Sequence, residues 1–285
     1  MVRIIHQIRN SYTIRGFLIN SVPKSGTHLL CKAIQSFPGI SKKHIHIGRS
    51  SSDDCQRLHS ADTDDEKLAI GIDAPSYISV HSFRKALSNI ASRKLIYATC
   101  HLPFERVTDN LIQELGLNSL LILRDPRDVC VSHAKFISKN SNHFLHDLYR
   151  TMPRQEQIMI SIRGMHKDNL FQLSSITDRF RSVEGWMGKD YNYTTYFERL
   201  VGEQGGGSKG LQYRELRNIA EHLGLKYQEA DLLRITSKLF GGTITFNKGL
   251  IGSWKEDFDL EHKRIFKDIA GHLLIDLGYE KDFDW

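Results

Sequence analysis

Three places in the sequence hold residue types that handle anions or protons. The first is Pro23-Lys24-Ser25-Gly26-Thr27-His28. Lys24 supplies a full positive charge, Ser25 and Thr27 add hydroxyl donors, and Gly26 lets the backbone approach a ligand closely. The second is His101, followed by Leu102 and Pro103. An imidazole, with a reference pKa of about 6.5, takes up a proton near neutral pH, which suits a general base. The third is Arg124-Asp125-Pro126-Arg127-Asp128, with Ser132 further on. Arg124 and Ser132 can hold a phosphate, the guanidinium through paired charge-assisted bonds; Arg124 can equally pair with Asp125 or Asp128.

Each group follows a short apolar run, and the runs are what must position them. Phe17-Leu18-Ile19 leads to Lys24, Lys94 to Cys100 leads to His101, and Ser119 to Leu123 leads to Arg124. Such runs, bounded by turn signals, read as strands of a parallel sheet. Helical spacing resumes after each: Leu29, Leu30, Ala33 and Ile34; then 105–115; then from Pro126 to about Ile137, where Pro126 suits a first helical position. Strand, tight loop and helix gather backbone N–H groups around an anion, because the first turn of a helix has no internal partners for them. In an open parallel sheet, ligands bind outside the carboxyl ends of the strands. Polar groups at three strand ends therefore predict one shared site for a phosphate-bearing ligand. The plainer readings are a helix cap beside a lysine and a structural histidine at a strand end. The loop does not follow the nucleoside-triphosphate pattern G-x-x-x-x-G-K-[ST], since the lysine precedes the glycine and no first glycine exists. Asp125 resembles the magnesium-holding aspartate of triphosphatases, a reading weakened by that mismatch.

Elsewhere the pattern is helical over 142–190, alternating over Tyr191 to Glu198 as in a strand, and helical again over 211–223, 228–239 and 260–277. Residues 205–208 read as a surface loop and 246–258 as an irregular glycine-containing loop. Residues 1–16 form a basic lead-in. The least legible part is 37–94. His44 and His46 alternate there, but no cysteine or carboxylate sits at ligand spacing, so a solvated loop is favoured over a metal site. The polar stretch Ser50 to Ser60 and the acidic run Asp62 to Glu66 read as solvated segments. Strands alternating with helices predict an α/β fold: three layers, α/β/α, around a central parallel sheet, as one domain over 1–285.

The composition, 40% hydrophobic and 25% charged, is that of a soluble globular chain, with no run approaching the roughly 18 apolar residues of a membrane span. The N-terminus lacks an apolar segment long enough for a secretory signal, so a cytoplasmic location is expected. Cys31, Cys55, Cys100 and Cys130 fall singly and read as reduced thiols. The formal charge of +6 suits a polyanionic small ligand and is too dispersed for nucleic acid. Neither a nucleic-acid nor a membrane partner is expected, and the oligomeric state is not legible.

Pro-Lys-Ser-Gly-Thr on a strand-to-helix turn resembles the 5′-phosphosulfate loop of the sulfotransferases that use 3′-phosphoadenosine-5′-phosphosulfate (PAPS). Leu123 to Val129 with Ser132 resembles their 3′-phosphate segment, and His101-Leu102-Pro103 the segment bearing their catalytic histidine. Lys248-Gly249-Leu250-Ile251-Gly252-Ser253-Trp254-Lys255 resembles the K-G-x-x-G-x-W loop that folds over the nucleotide. Glu184-Gly185-Trp186 and Phe197-Glu198-Arg199-Leu200 are weaker matches. The resemblance runs from about Phe17 to Phe258, with the segments in the family's order. It implies a three-layer fold with a P-loop-like phosphosulfate-binding loop, PAPS as co-substrate, no metal, and sulfuryl transfer to a hydroxyl or amine of a small acceptor. Lys24, Ser25, Gly26, Thr27 and His28 would grip the 5′-phosphosulfate; Arg124, Ser132, Lys248 and Gly249 would hold the 3′-phosphate; His101 would be the base, and Lys24 would stabilise the charge on the departing oxygen. Departures from the best-known members are Leu29 for a tryptophan, Thr99 for a lysine, Phe197 for a tyrosine and Asn247 for an arginine. The alternatives are a nucleoside or small-molecule kinase on a related fold and a catalytically inactive nucleotide-binding protein. The polar stretches 37–94 and 138–170, expected to wall the acceptor pocket, favour a polar natural product or sugar over a phenol or steroid.

Overall fold

A computed structural model describes residues 15–48, 67–73, 77–167, 171–243 and 248–285. The stretch Ser50 to Ser60 with Cys55, the acidic run Asp62 to Glu66, Asn247 and most of the basic lead-in lie outside the described residues.

The central sheet has five parallel strands in the order β2-β5-β1-β6-β9. These are β1 (Phe17–Ser21), β2 (Ile45–Ile47), β5 (Tyr97–Cys100), β6 (Asn118–Leu123) and β9 (Asn192–Tyr196). β1 lies in the middle, with Leu18 opposite Ala98 of β5 and Ser119 of β6. Its five residues are all buried, as a strand covered on both faces requires. Alternation along it sends Leu18 to one core and Phe17 and Ile19 to the other. The first core packs under α2 (Val80–Ala91), α3 (Arg106–Leu115), α4 (Pro126–Lys139), α6 (Arg154–Arg163), α7 (Ile176–Arg181) and α12 (Leu260–Asp276); the second lies under α1 (Thr27–Gln35), α9 (Lys209–Leu223) and α10 (Glu229–Lys238). The result is the expected three-layer α/β/α arrangement.

Two regions depart from the expected pattern. Within 37–94, His46 sits on strand β2, not in a solvated loop, and a helix, α2, carries Phe83, Leu87 and Ile90 inward at i, i+4 and i+7. Ser79 caps that helix by accepting from the Ser82 N–H, a signal present in the sequence. Within 142–190, a hairpin of β7 (Met165–Lys167) and β8 (Phe171–Leu173) interrupts helices that include α5 (His146–Thr151). A second hairpin pairs β3 (Lys67–Ala69) with β4 (Tyr77–Ser79). Three-residue strands are too short to show alternation. The strand expected over Tyr191 to Glu198 ends at Tyr196, where the short helix α8 (Phe197–Leu200) begins, and α11 (Trp254–Asp257) ends the C-terminal loop. Cys31, Cys100 and Cys130 are buried free thiols. No helix among the described residues is long and apolar enough to cross a membrane.

Arg127 ties the C-terminal segment to the sheet. Its guanidinium meets Asp125 at 2.8 Å and Glu280 at 2.5 Å, and lies between the rings of Trp254 and Trp285 at 4.2 and 4.5 Å. Only 3% of the residue is exposed. Removing one partner of a buried pair strands the other charge. Arg127→Ala should therefore lower the unfolding free energy by about 3–5 kcal/mol, measured by urea titration. A loss below about 1 kcal/mol would place the pair with exposed surface bridges instead.

Candidate active site

The ends of β1, β5 and β6 converge on a cavity of about 450 Å³. Lys24, Gly26, Thr27, His28, His101, Arg124, Ser132, Lys248 and Gly249 all line it, so residues more than two hundred positions apart share one wall. Ser25 completes the loop but is buried beneath it.

The loop between β1 and α1 is a tight cradle. Ser25 N–H turns back to Val22 O at 3.1 Å, and both Lys24 and Gly26 take left-handed backbone angles, φ 71° and 106°. A Cβ on Gly26 would meet the Phe197 ring at 2.8 Å, so glycine is required on steric grounds as well. The first backbone bond of α1 runs from Leu30 N–H to Gly26 O, and no side chain caps the helix. Among the described residues the N–H groups of Gly26 to Leu29 are thus left for an external acceptor. Ser25 Oγ is buried with no hydrogen-bond partner among the described residues, although a buried hydroxyl normally has one. An orphaned donor, free amides and a cation around a glycine fit a phosphate or phosphosulfate group.

Lys24 is itself largely desolvated, with Nζ 4.1 Å from the centre of the Phe136 ring. Burial, then the charge of Arg124, brings its pKa down to about 8, while Asp73 opposes the shift. A lysine held this close to losing its proton gains much from an arriving anion.

His101 stands beside the cradle because the strand ends are stitched together. Asn20 at the end of β1 donates to Leu102 O and accepts from Leu102 N–H, both at 2.9 Å. Trp186 Nε1 donates to the same carbonyl at 3.2 Å. His101 Nδ1 lies 2.8 Å from Ser21 O and 3.1 Å from Ser21 Oγ. A carbonyl can only accept, so Nδ1 carries the proton and Nε2 keeps its lone pair. Burial lowers the pKa of the ring, the contact with Ser21 working against it. The imidazole is therefore neutral at pH 7, with one basic nitrogen available. Ser21 Oγ also meets Thr27 Oγ1 at 2.6 Å, linking the histidine to the first residue of α1.

More imidazoles line this side. His46 on β2 meets Thr99 Oγ1 at 3.0 Å and sets its ring edge-on to His101 at 6.0 Å. Burial, with His101 and His44 nearby, brings its pKa down to about 4. His44 stacks on Tyr97 at 5.1 Å, and burial lowers its pKa as it does that of His28. Among the described residues no three His, Cys, Asp or Glu side chains form a group that could hold a metal ion.

Arg124 reaches the cavity, but much of its guanidinium is engaged. It lies 4.3 Å over the Phe197 ring, pairs with Asp128 at 3.3 Å, and donates to Leu250 O at 2.9 Å. The Asp128 alternative weighed from the sequence is thus present. Asp125 caps α4 and pairs with Arg127. Asp128 accepts from Gly252 N–H, Ser253 Oγ and Trp254 N–H, each at 2.9 Å. With Arg124 it straps the 248–254 loop over the cavity. Glu198, in the segment after β9, holds the turn after β6 by accepting from Asp125 N–H at 2.9 Å. Lys32 donates to Leu239 O and Gly241 O at 3.0 and 2.8 Å, which brings Phe240 to the cavity wall.

Sequence reasoning missed Asn20, Ser21, His46, Lys32 and Asp73. The first two are small polar residues in a strand read only as apolar. Asp73 is placed by contacts with Arg179 and His133, far along the chain, at 3.5 and 3.4 Å.

Comparison with known proteins bears on the fold and the family. No curated protein matches the chain. Among solved structures, mouse sulfotransferase SULT7A1 complexed with PAP is similar with a TM-score of 0.63 at 16% identity, covering 94% of this chain and 88% of that one. Retinol dehydratase in complex with androsterone and the inactive cofactor PAP gives 0.57 at 15%, covering 93% and 82%; its complex with retinol and PAP gives 0.53 at 14%, covering 93% and 83%. At such identities the likeness is one of fold. The sulfotransferase domain model, however, matches residues 15–278, and the chain belongs to that family.

Proposed function

We propose that residues 1–285 act as one PAPS-dependent sulfotransferase domain, moving a sulfuryl group to a small-molecule acceptor with His101 as general base. The observation that carries this is the pairing, at two stitched strand ends, of an anion cradle with a neutral imidazole. The structures similar in fold hold PAP, which supports the donor assignment.

PAPS supplies an activated sulfuryl group. Lys24, Ser25 and the amides of Gly26, Thr27 and His28 hold the phosphosulfate end and stabilise the charge left on the departing phosphate oxygen. Ser132, Lys248 and Gly249 serve the 3′-phosphate end, with Arg124 adding charge and holding the loop above. His101 Nε2 takes the acceptor's proton as the new S–O bond forms; Ser21 O fixes the tautomer, and Asp73 favours the imidazolium. Lys24, Arg124 and neutral histidines surround this space, so a hydroxyl is better received than an ammonium. The polar hydrogen-bonding edges of His28, His44 and His46 favour a polar, hydroxyl-bearing acceptor.

Adenosine 3′,5′-bisphosphate should raise the melting temperature without added metal, since a ligand of the native state alone stabilises it. A shift with ATP and magnesium but none with the bisphosphate would favour a kinase.

His101→Ala should remain folded and bind the bisphosphate, yet slow single-turnover transfer at least about a hundredfold. Lys24→Ala should lose both donor affinity and turnover, since one ammonium serves ground state and transition state alike. Turnover of folded His101→Ala within a few-fold of wild type would make His101 structural.

The pH profile follows from two lowered pKa values. His101 acts when neutral, so its limb should lie below the ordinary histidine value of about 6.5, with activity lost as pH falls through it. Lys24 acts when charged, so kcat/KM for the donor should fall as pH rises through about 8. In kcat that upper limb should move to higher pH, because bound anion holds the proton on Lys24. Lys24→Arg should remove the upper limb; a limb that stays at the same pH would belong to another group.

A further inference from the structure

We propose that Asp73 is a positioning residue for the reaction: its carboxylate, clamped beside the two catalytic strand ends, supplies the fixed negative charge that favours the ammonium of Lys24 and the imidazolium of His101. This rests on the sulfotransferase reading above. Asp73 follows β3, and the contacts around it set its place. Ala69 N–H, on β3, donates to Glu105 Oε1 at 3.3 Å, which ties that strand to the segment just after His101. Asp73 O accepts from Ser174 N–H at 3.2 Å, beside the start of α7. Phe104 N–H donates to Ser182 O at 2.6 Å, so the far end of α7 is tied to the same segment. On the Lys24 side, His133 and Phe136 share one face of α4 at i and i+3. His133 approaches Asp73, while the Phe136 ring carries the Lys24 ammonium at 4.1 Å.

The carboxylate is held from two helices. Arg179 Nη1 lies 3.5 Å from its Oδ1 and His133 Nε2 lies 3.4 Å from its Oδ2. Arg179, fully buried, is anchored in turn by Ser175 O and Ser161 O, and His133 Nδ1 meets Ser161 Oγ at 2.9 Å. Both contacts to Asp73 are long for charge-assisted bonds, so its field extends beyond them. Burial would raise the Asp73 pKa, but His133, Arg179 and His101 outweigh burial and hold it well below the usual carboxylate range. Asp73 is therefore charged throughout the working pH range. Burial keeps His133 neutral at pH 7, and it pushes the Cys130 thiol and Tyr149 phenol, which also feel Asp73, up to about 12. Among the described residues the charge of Asp73 thus acts chiefly on Arg179, Lys24 and His101. At Lys24 it opposes burial and the charge of Arg124; at His101 it joins the Ser21 contact against burial and the charge of Lys24. His28 and His46, the other imidazoles near His101, are neutral.

Two titrations of the full chain test this. NMR follows the His101 ring, its signal identified by its loss in His101→Gln, and calorimetry follows the affinity for adenosine 3′,5′-bisphosphate against pH, which reports Lys24. Asp73→Asn keeps the shape of the side chain and removes its charge. The His101 midpoint should fall by about 0.5–1 pH unit, and the alkaline loss of bisphosphate affinity should set in lower by a similar amount. Both shifts run downward, because the lost charge favoured the protonated form of each group. Asp73→Glu, which keeps the charge, should leave both midpoints within about 0.3 pH unit of wild type. A merely structural Asp73 would lower the melting temperature and leave both midpoints in place, and that result would overturn the assignment. So would midpoints that move in opposite directions. If Asp73→Asn does not fold, Asp73→Leu/Arg179→Met carries the test, since a buried pair replaced whole by apolar groups is often tolerated. The same downward shifts are expected there, and unmoved midpoints overturn the assignment. Wild type that binds no bisphosphate at any pH would overturn the donor reading alone, with the His101 midpoint still deciding for or against Asp73.

Discussion

The side chain of Asn20 makes the rest of the site possible. It is 1% exposed and sits where β1 ends, with its amide holding both the N–H and the C=O of Leu102. Parallel pairing alone sets β1 beside β5, but it does not control the chain after either strand ends. Asn20 extends that control two residues past the end of β5, to Leu102 in the turn that carries His101. The same Oδ1 also accepts from Ser21 N–H at 2.9 Å, so the cradle and the histidine share one rigid link. An unpaired buried amide would be costly, which makes this arrangement self-enforcing.

A second organising constraint is electrostatic. The cavity gathers Lys24, Arg124 and several imidazoles, and the protein limits their repulsion in two ways. The imidazoles are kept neutral by burial, so they add hydrogen-bonding edges without charge. Arg124 is paired with Asp128, which in turn gathers three donors from the 252–254 segment. The ion pair thus closes the cavity as well as balancing it. Lys24, with no such pair among the described residues, is left with a lowered pKa, and an anionic ligand would relieve that cost.

Several departures noted in the sequence acquire a physical setting. Phe197 packs against Gly26 and under Arg124, filling space with a ring rather than a hydroxyl. Thr99 holds the ring of His46, so an imidazole from a neighbouring strand stands close to His101. Leu29 lines the cavity from α1, and Phe240, placed by Lys32, also lines it.

How much was legible depended on whether a feature is local. The β1 loop, the strand ends bearing His101 and Arg124, and the order of strands and helices around them follow from apolar runs, Pro126 and Gly26, whose effects reach only a few residues. Those features determined the three-layer fold and the tight loop between β1 and α1. What only the tertiary structure decided is long-range: Asn20 meeting Leu102, His46 reaching Thr99, and Asp128 gathering Gly252 to Trp254. Each joins residues separated by 53 to 126 positions, or short strands with no periodic pattern, and nothing in either segment alone names its partner. Burial decided the rest. Whether a histidine is neutral or a lysine near titration depends on the solvent it loses, which the folded packing sets.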